Sequence, residues 1–162
     1  MPDIASSLWS KKTRELIILY IYNYLFLREY NSDESNLDNN LFDLVDLVEI
    51  AFDKKSDEEK QEILKDSQAT FNQIKKLIPL EITNYINNLS KFSNNWKFTG
   101  VMTKSILVTF CLEREILPID KLDPDNTKVN FKTLNLYLKI SAKYLELTQI
   151  STIHAILGKL SL

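Results

Sequence analysis

Only two of the 162 residues are glycine, Gly100 and Gly158, and only four are proline. A meander of hairpins needs turn residues at short, regular spacing, because the tight turns between strands draw on backbone conformations that glycine and its few substitutes supply. This chain has almost nothing to turn with, so helices are the regular structure left to it. At this length a folded chain buries roughly two-thirds of the surface it exposes when unfolded. With 44% hydrophobic and 26% charged residues, the sequence is too apolar to stay disordered. The expected fold is all-α, a single-domain bundle of about seven helices covering residues 1–162.

The first helix is expected to start at Ser6 or Ser7, either of which can cap exposed amides, and to run to about Arg28. Its second half, Leu16 to Leu27 broken only by Asn23, is apolar on every side, which predicts a central rod surrounded by other helices and leaves Leu19 no solvent-facing side. Residues 31–40 read as a polar loop. Leu41, Leu44, Val45, Val48 and Phe52 fall on one stripe of a second helix. Ser56-Asp57-Glu58-Glu59 fits a capping box and opens a third, with Ile63, Leu64, Phe71, Ile74 and Ile78 inward and Pro79 ending or kinking it. A fourth helix carries Ile82, Tyr85, Ile86 and Leu89. A fifth, from about Thr99 to Glu115, turns Met102, Ile106, Phe110 and Cys111 inward and stops at Leu117-Pro118. Residues 118–130 read as a turn-rich loop. Leu134, Tyr137, Leu138, Ser141 and Leu145 then share a face of the sixth helix, and Ile153, Ile156, Leu157 and Leu160 a face of the seventh.

Several kinds of chemistry are excluded by what is missing. One cysteine, Cys111, cannot form an internal disulfide, and one histidine, His154, cannot build a His-rich metal site, so no metal or other cofactor is expected. No phosphate-cradling glycine loop and no nucleophile elbow occurs, and Cys111 and His154 both lie in apolar helical patterns that predict packing for the first and partial exposure for the second. Asp57-Glu58-Glu59 lacks a glycine-centred calcium loop and reads as a helix start, where carboxylates favour the dipole. The chain is read as a non-enzyme. The longest apolar run is about 12 residues against the roughly 20 needed to span a bilayer, which argues against a membrane anchor. Lys11, Lys12 and Arg14 precede that run as the n-region of a signal peptide would, but no small-residue cleavage site follows, and the expected location is the cytoplasm.

The net charge of −2 is unevenly spread. Residues 1–28 hold four basic and two acidic residues, 29–66 hold four basic and thirteen acidic, and 67–162 hold twelve basic and seven acidic, giving +2, −9 and +5. Such asymmetry fits either a polyanion partner on one face or solvated helix surfaces whose signs cluster.

The two ends of the chain resemble the NusB family of transcription antitermination factors. Lys11-Lys12-Thr13-Arg14-Glu15-Leu16 leading to Leu19-Tyr20 matches the basic stretch that runs straight into an apolar helix carrying a tyrosine. Trp96, Ile106-Leu107, Glu113 and Pro118 follow in the family's order, as do Leu134-Asn135, Lys143 and the final segment Thr152 to Lys159. The chain departs from the pattern at Leu136, where the family has Glu, at His154-Ala155, where it has Asn-Gly, and at Val108, where it has Arg; the loop 119–133 is also about ten residues longer. The resemblance covers residues 8–28 and 82–160 and leaves 29–81 unplaced.

The resemblance implies a bacterial, cytoplasmic RNA-binding protein that recognises boxA-like single-stranded RNA together with a small-subunit ribosomal protein, NusE, and acts with the RNA polymerase elongation complex. It places the RNA contacts on Lys11, Lys12 and Arg14 at a solvent-facing helix start, because backbone phosphates are held by cations; beside the resemblance, some of the basic residues on the fifth and sixth helices, such as Lys104, Lys139 and Lys143, are expected to aid them. The competing reading is a helical protein-interaction module, NusB-like or unrelated, without RNA binding.

Overall fold

The computed structural model describes residues 9–30, 41–93, 96–116 and 126–160. Among them the regular structure is all α-helical: α1 Lys11–Tyr30, α2 Leu44–Ala51, α3 Asp57–Ser90, α4 Val101–Ile116, α5 Asn126–Tyr144 and α6 Leu147–Leu160, with a single 3₁₀ turn at Trp96–Phe98. The chain divides into two compact units, Ser10–Ile82 and Met1–Trp9 with Thr83–Leu162.

In the first unit α1 begins later than its sequence suggests. Ser10, not Ser6 or Ser7, caps it, its Oγ accepting the Thr13 amide at 3.1 Å; Ser6 and Ser7 lie outside the described residues. From Thr13 to Ile18, and again at Tyr20, Ile21, Tyr24 and Leu25, the helix is buried. Helices without a polar face are surrounded, and the apolar run does behave as a rod. Its coverage is less complete than expected, since Leu19 is half-buried and Phe26 is 42% exposed. The Tyr20 ring meets Phe71 of α3 edge to face, with centroids 5.0 Å apart, which suits the quadrupoles of two aromatic rings.

The short helix α2 opens with a reciprocal capping box: Asp46 N donates to Asp43 Oδ1 at 2.9 Å and Asp43 N to Asp46 Oδ2 at 3.3 Å. Leu44, Leu47 and Val48 are its buried residues, while Val45, expected on the core stripe, is 54% exposed. The buried stripe is therefore Leu44, Leu47 and Val48, with Leu47 in the place expected for Val45. The expected third and fourth helices are one: α3 continues for 34 residues through Pro79 and does not end there. Proline removes one intrahelical amide, but Pro79 and Lys75, whose carbonyl loses its partner, are both on the exposed side, where water replaces the missing donor.

In the second unit α4 is the helix buried on every side, with Thr103, Ser105 to Phe110, Leu112 and Glu113 all at or below 2% exposure. Its hydroxyls are absorbed by the helix itself: Ser105 Oγ donates to the Met102 carbonyl at 2.8 Å and Thr109 Oγ1 to the Ser105 carbonyl at 2.7 Å. Cys111 and Met102 are only half-buried. Helix α5 starts at Asn126, so the last five residues of the expected loop 118–130 are helical; 117–125 lie outside the described residues. Tyr137 packs edge to face on Phe110 at 5.4 Å, and Ile153, Ile156 and Leu157 of α6 are buried as their spacing predicts. Side chains of Leu134 and Leu160, and Pro118 as a whole, also lie outside what is described.

Candidate nucleic-acid interface

The start of α1 is fixed by a run of hydroxyls. Ser10 Oγ donates to Thr13 Oγ1 at 2.9 Å, and Thr13 Oγ1 lies 2.8 Å from Ser67 Oγ on α3. This pins the helical phase. Lys11 and Lys12 come out exposed, without an ion-pair partner among the described residues. No acidic residue occupies this first turn. Two cations therefore sit at the positive end of a helix dipole, an arrangement costing about 0.3–1 kcal/mol per charge that an arriving anion would reverse.

Arg14 corrects the expectation of a solvent-facing triad. It is 1% exposed and engaged within the fold. From Thr13 to Ile18 every residue of α1 is buried, so residue 14 has no solvent sector whatever its charge. A guanidinium in such a place serves internal partners. The interface at this helix start is reduced to Lys11 and Lys12.

The other three basic candidates belong to the second unit. Lys139 and Lys143 are both exposed and lie one turn apart on a single face of α5. Like charges at that spacing repel by a few tenths of a kcal/mol. Lys143 Nζ stands 5.4 Å from the Tyr144 ring centroid, and the half-buried Lys104 on α4 stands 5.5 Å from the Trp96 ring. Lys11 and Lys12 lie in the other unit, so the six candidates do not form one patch within either unit.

The aromatics Trp96 and Tyr144 were not among the expected contacts. Lys143 and Tyr144 are adjacent in sequence, and an aromatic beside a lysine on an exposed helix was a legible sign of a stacking platform. The Trp96 pair was not legible, because the 3₁₀ turn that brings the ring under Lys104 leaves no periodic trace.

Glu113, which carries part of the family resemblance, is fully buried and structural. Its Oε1 accepts the Tyr137 hydroxyl at 2.8 Å and its Oε2 the Trp9 amide at 3.2 Å. His154 is exposed, and no group of three or more metal-ligating side chains occurs among the described residues. No described helix is long and apolar enough to cross a membrane. No family model, curated protein or solved structure matches this chain.

Proposed function

We propose that the protein is a single-stranded RNA-binding transcription antitermination factor, taking boxA-like RNA together with a small-subunit ribosomal protein of the NusE kind and acting with the RNA polymerase elongation complex in the cytoplasm. The observation that carries the RNA part is the pairing of Lys104 with Trp96 and Lys143 with Tyr144, each aromatic ring half-buried and so partly open to solvent. Single strands are bound by that combination, since every base offers a face for stacking and every phosphate a charge for a cation. Lys11 and Lys12 add phosphate contacts without base selectivity.

The test is fluorescence anisotropy of a labelled boxA-like oligoribonucleotide, a scrambled strand and a duplex, each over a range of salt, with and without the ribosomal protein. Binding to single strands should weaken with salt by a log–log slope of about 0.7 per phosphate contact. Replacing both Lys11 and Lys12 by Glu should flatten that slope by about 1.4, two contacts' worth, while the helical circular dichroism stays unchanged. A wild-type protein that binds no single strand under either condition ends this reading.

A second reading, a protein-interaction module without RNA binding, is favoured by Phe42 at 42%, Val45 at 54% and Ile50 at 53% exposure, on α2 and the residues that lead into it. Calorimetric titration with the purified ribosomal protein in the absence of RNA separates the two. Tight binding there with silent RNA anisotropy supports the module alone.

A further inference from the structure

The second unit contains a polar cleft of about 220 Å³, lined by Thr99, Gly100, Thr103, Thr148, Gln149 and Thr152 among others, with no carboxylate in its wall. These residues are the beginnings of two helices. Gly100 is the N-cap of α4, its carbonyl accepting the Lys104 amide at 3.1 Å, and a glycine has no side-chain oxygen to offer the amides of the first turn. At the start of α6 the Glu146 carbonyl accepts the Ile150 amide at 3.0 Å, and Gln149 Oε1 accepts the Glu146 amide at 3.0 Å, which turns the donor end of that side-chain amide elsewhere. Both helices exceed three turns, so each brings a partial positive charge to the same cleft.

The decisive residue is Thr103. It lines the cleft and is 2% exposed, yet its hydroxyl has no hydrogen-bond partner among the described residues. Thr109 on the same helix shows the usual solution, a bond to the carbonyl one turn back. Buried hydroxyls are rarely left unpaired, and one that lines a polar cleft has its partner in whatever occupies the cleft. The Thr148 hydroxyl and the Gln149 amide supply further donors, while Thr152 spends its proton on the Thr148 carbonyl at 3.2 Å. Water takes about 30 Å³ per molecule, so the volume admits a tetrahedral oxyanion with several waters. Lys104 Nζ, drawn over the Trp96 ring, stands on the turn that leads into Thr99 and Gly100.

We propose that this cleft binds a phosphate group, as the free anion or as a phosphate of a nucleic-acid strand. The proposal goes beyond the RNA reading, which rests on the lysines. Its test is an NMR titration of the ¹⁵N-labelled full-length chain with inorganic phosphate at constant ionic strength. The amides of Gly100, Thr103, Thr148 and Gln149 should shift together and saturate in the millimolar range. Thr103→Val keeps the branched shape and removes the hydroxyl, and should raise the dissociation constant at least fivefold.

Gly100→Asp provides a variant that does not threaten the fold. A Cβ there meets nothing within 4 Å, the backbone is not in the left-handed region, and Asp is a preferred N-cap. Its carboxylate would occupy the amides and repel the anion, so the saturable shifts should vanish from a folded protein. Shifts that never saturate, or equal affinity in the wild type and both variants, overturn the proposal. A parallel titration with a short oligoribonucleotide lacking terminal phosphates identifies the source: cleft shifts with both ligands assign a strand phosphate, and shifts with inorganic phosphate alone assign a small phosphate ligand. RNA binding with a cleft silent to both ligands sinks the phosphate site and leaves the RNA reading standing. Phosphate binding without RNA binding does the reverse.

Discussion

Each unit contains a helix buried on every side, and the two helices reach that state by different chemistry. In Ser10–Ile82 it is α1, whose covered stretch from Leu16 to Leu25 is built from aliphatic and aromatic residues apart from Asn23. In the other unit it is α4, which is as deeply covered and yet carries Thr103, Ser105, Thr109 and Glu113. The charges diverge as well: residues 10–82 hold ten basic and fifteen acidic side chains, a net −5, whereas 1–9 and 83–162 hold ten basic and seven acidic, a net +3. Burial therefore does not require apolarity where a hydroxyl can bond its own helix. The unit built around the hydroxyl-bearing α4 is also the one whose net charge suits an anion. Lys11 and Lys12 are the exceptions, cations at the edge of an otherwise acidic unit.

The largest effects test whether the two buried helices carry comparable energy. Ile17→Ala in α1 and Leu107→Ala in α4 each empty a fully buried site and should each cost about 2–5 kcal/mol, depending on how far the neighbours collapse. The chain's two tryptophans, Trp9 and Trp96, both fall in the second unit, so their fluorescence reports that unit while far-ultraviolet circular dichroism reports both. Because α3 is one continuous helix shared by the two units, urea should give coincident curves by the two probes, and either substitution should move both. Curves that separate, with Ile17→Ala moving only the dichroism, would show that the units unfold independently.

Polar burial can be probed at Tyr137. Its hydroxyl donates to the fully buried Glu113, and Tyr137→Phe should cost about 1–3 kcal/mol, the range for leaving a buried polar group without its partner. Thr109→Val, by contrast, removes a bond that the helix makes to itself and leaves a carbonyl still bonded within the helix, so about 1 kcal/mol or less is expected. If the two substitutions cost the same, the distinction between a tertiary polar contact and a self-satisfied hydroxyl is wrong.

That distinction also explains which parts of the fold were legible. The rod of α1 could be read from Leu16 to Leu27 because nothing polar interrupts it but Asn23. The equal burial of α4 could not, because Ser105 and Thr109 look like a solvent face until their bonds to Met102 and Ser105 are known. Arg14 failed for a related reason: its charge pointed outward, whereas the phase set by the Ser10 cap turned it in. That the helix continues past Pro79 could not be read, because sequence does not show that the carbonyl left unpaired at Lys75 would lie on the exposed side. Of the candidate contacts, Lys11, Lys12, Lys139 and Lys143 could be placed on exposed surface from periodicity alone. The Trp96–Lys104 pair and the hydroxyl cleft depend on a 3₁₀ turn and on two helix starts that meet only in the folded chain.

Pro79 offers a change of opposite sign. It lies three residues before the boundary between the units, in the helix that both share among the described residues. Interior proline costs about 3 kcal/mol against alanine, and up to about 1 kcal/mol returns through its stiffening of the unfolded chain. Pro79→Ala should thus stabilise the protein by about 2 kcal/mol and, because the helix is shared, move both unfolding probes together to higher urea. A destabilised variant would mean that the surroundings have adapted to the missing amide.

The smallest effects concern how helices start, where the units differ again. In the first unit Ser10, Asp43 and Ser56 each present a side-chain oxygen to a first-turn amide. At α4 in the second unit Gly100 presents none. Asp43 closes both halves of its box, whereas at Ser56 the Glu59 carboxylate takes the Ser56 hydroxyl at 3.3 Å, a side-chain contact in place of the backbone half. Asp43→Ala should therefore cost about 1–2 kcal/mol and Ser56→Ala about 0.5–1 kcal/mol. Adding a cap is the converse: glycine is only a few tenths of a kcal/mol worse than the best N-caps, so Gly100→Asp should stabilise by about that much. The same substitution is expected to abolish phosphate binding, and the two signs together are informative. A variant more stable than wild type that no longer binds has lost a binding site and not its fold. Stability that instead falls would show that an acid is already poorly tolerated at the start of α4, which is the field an anion site must not have.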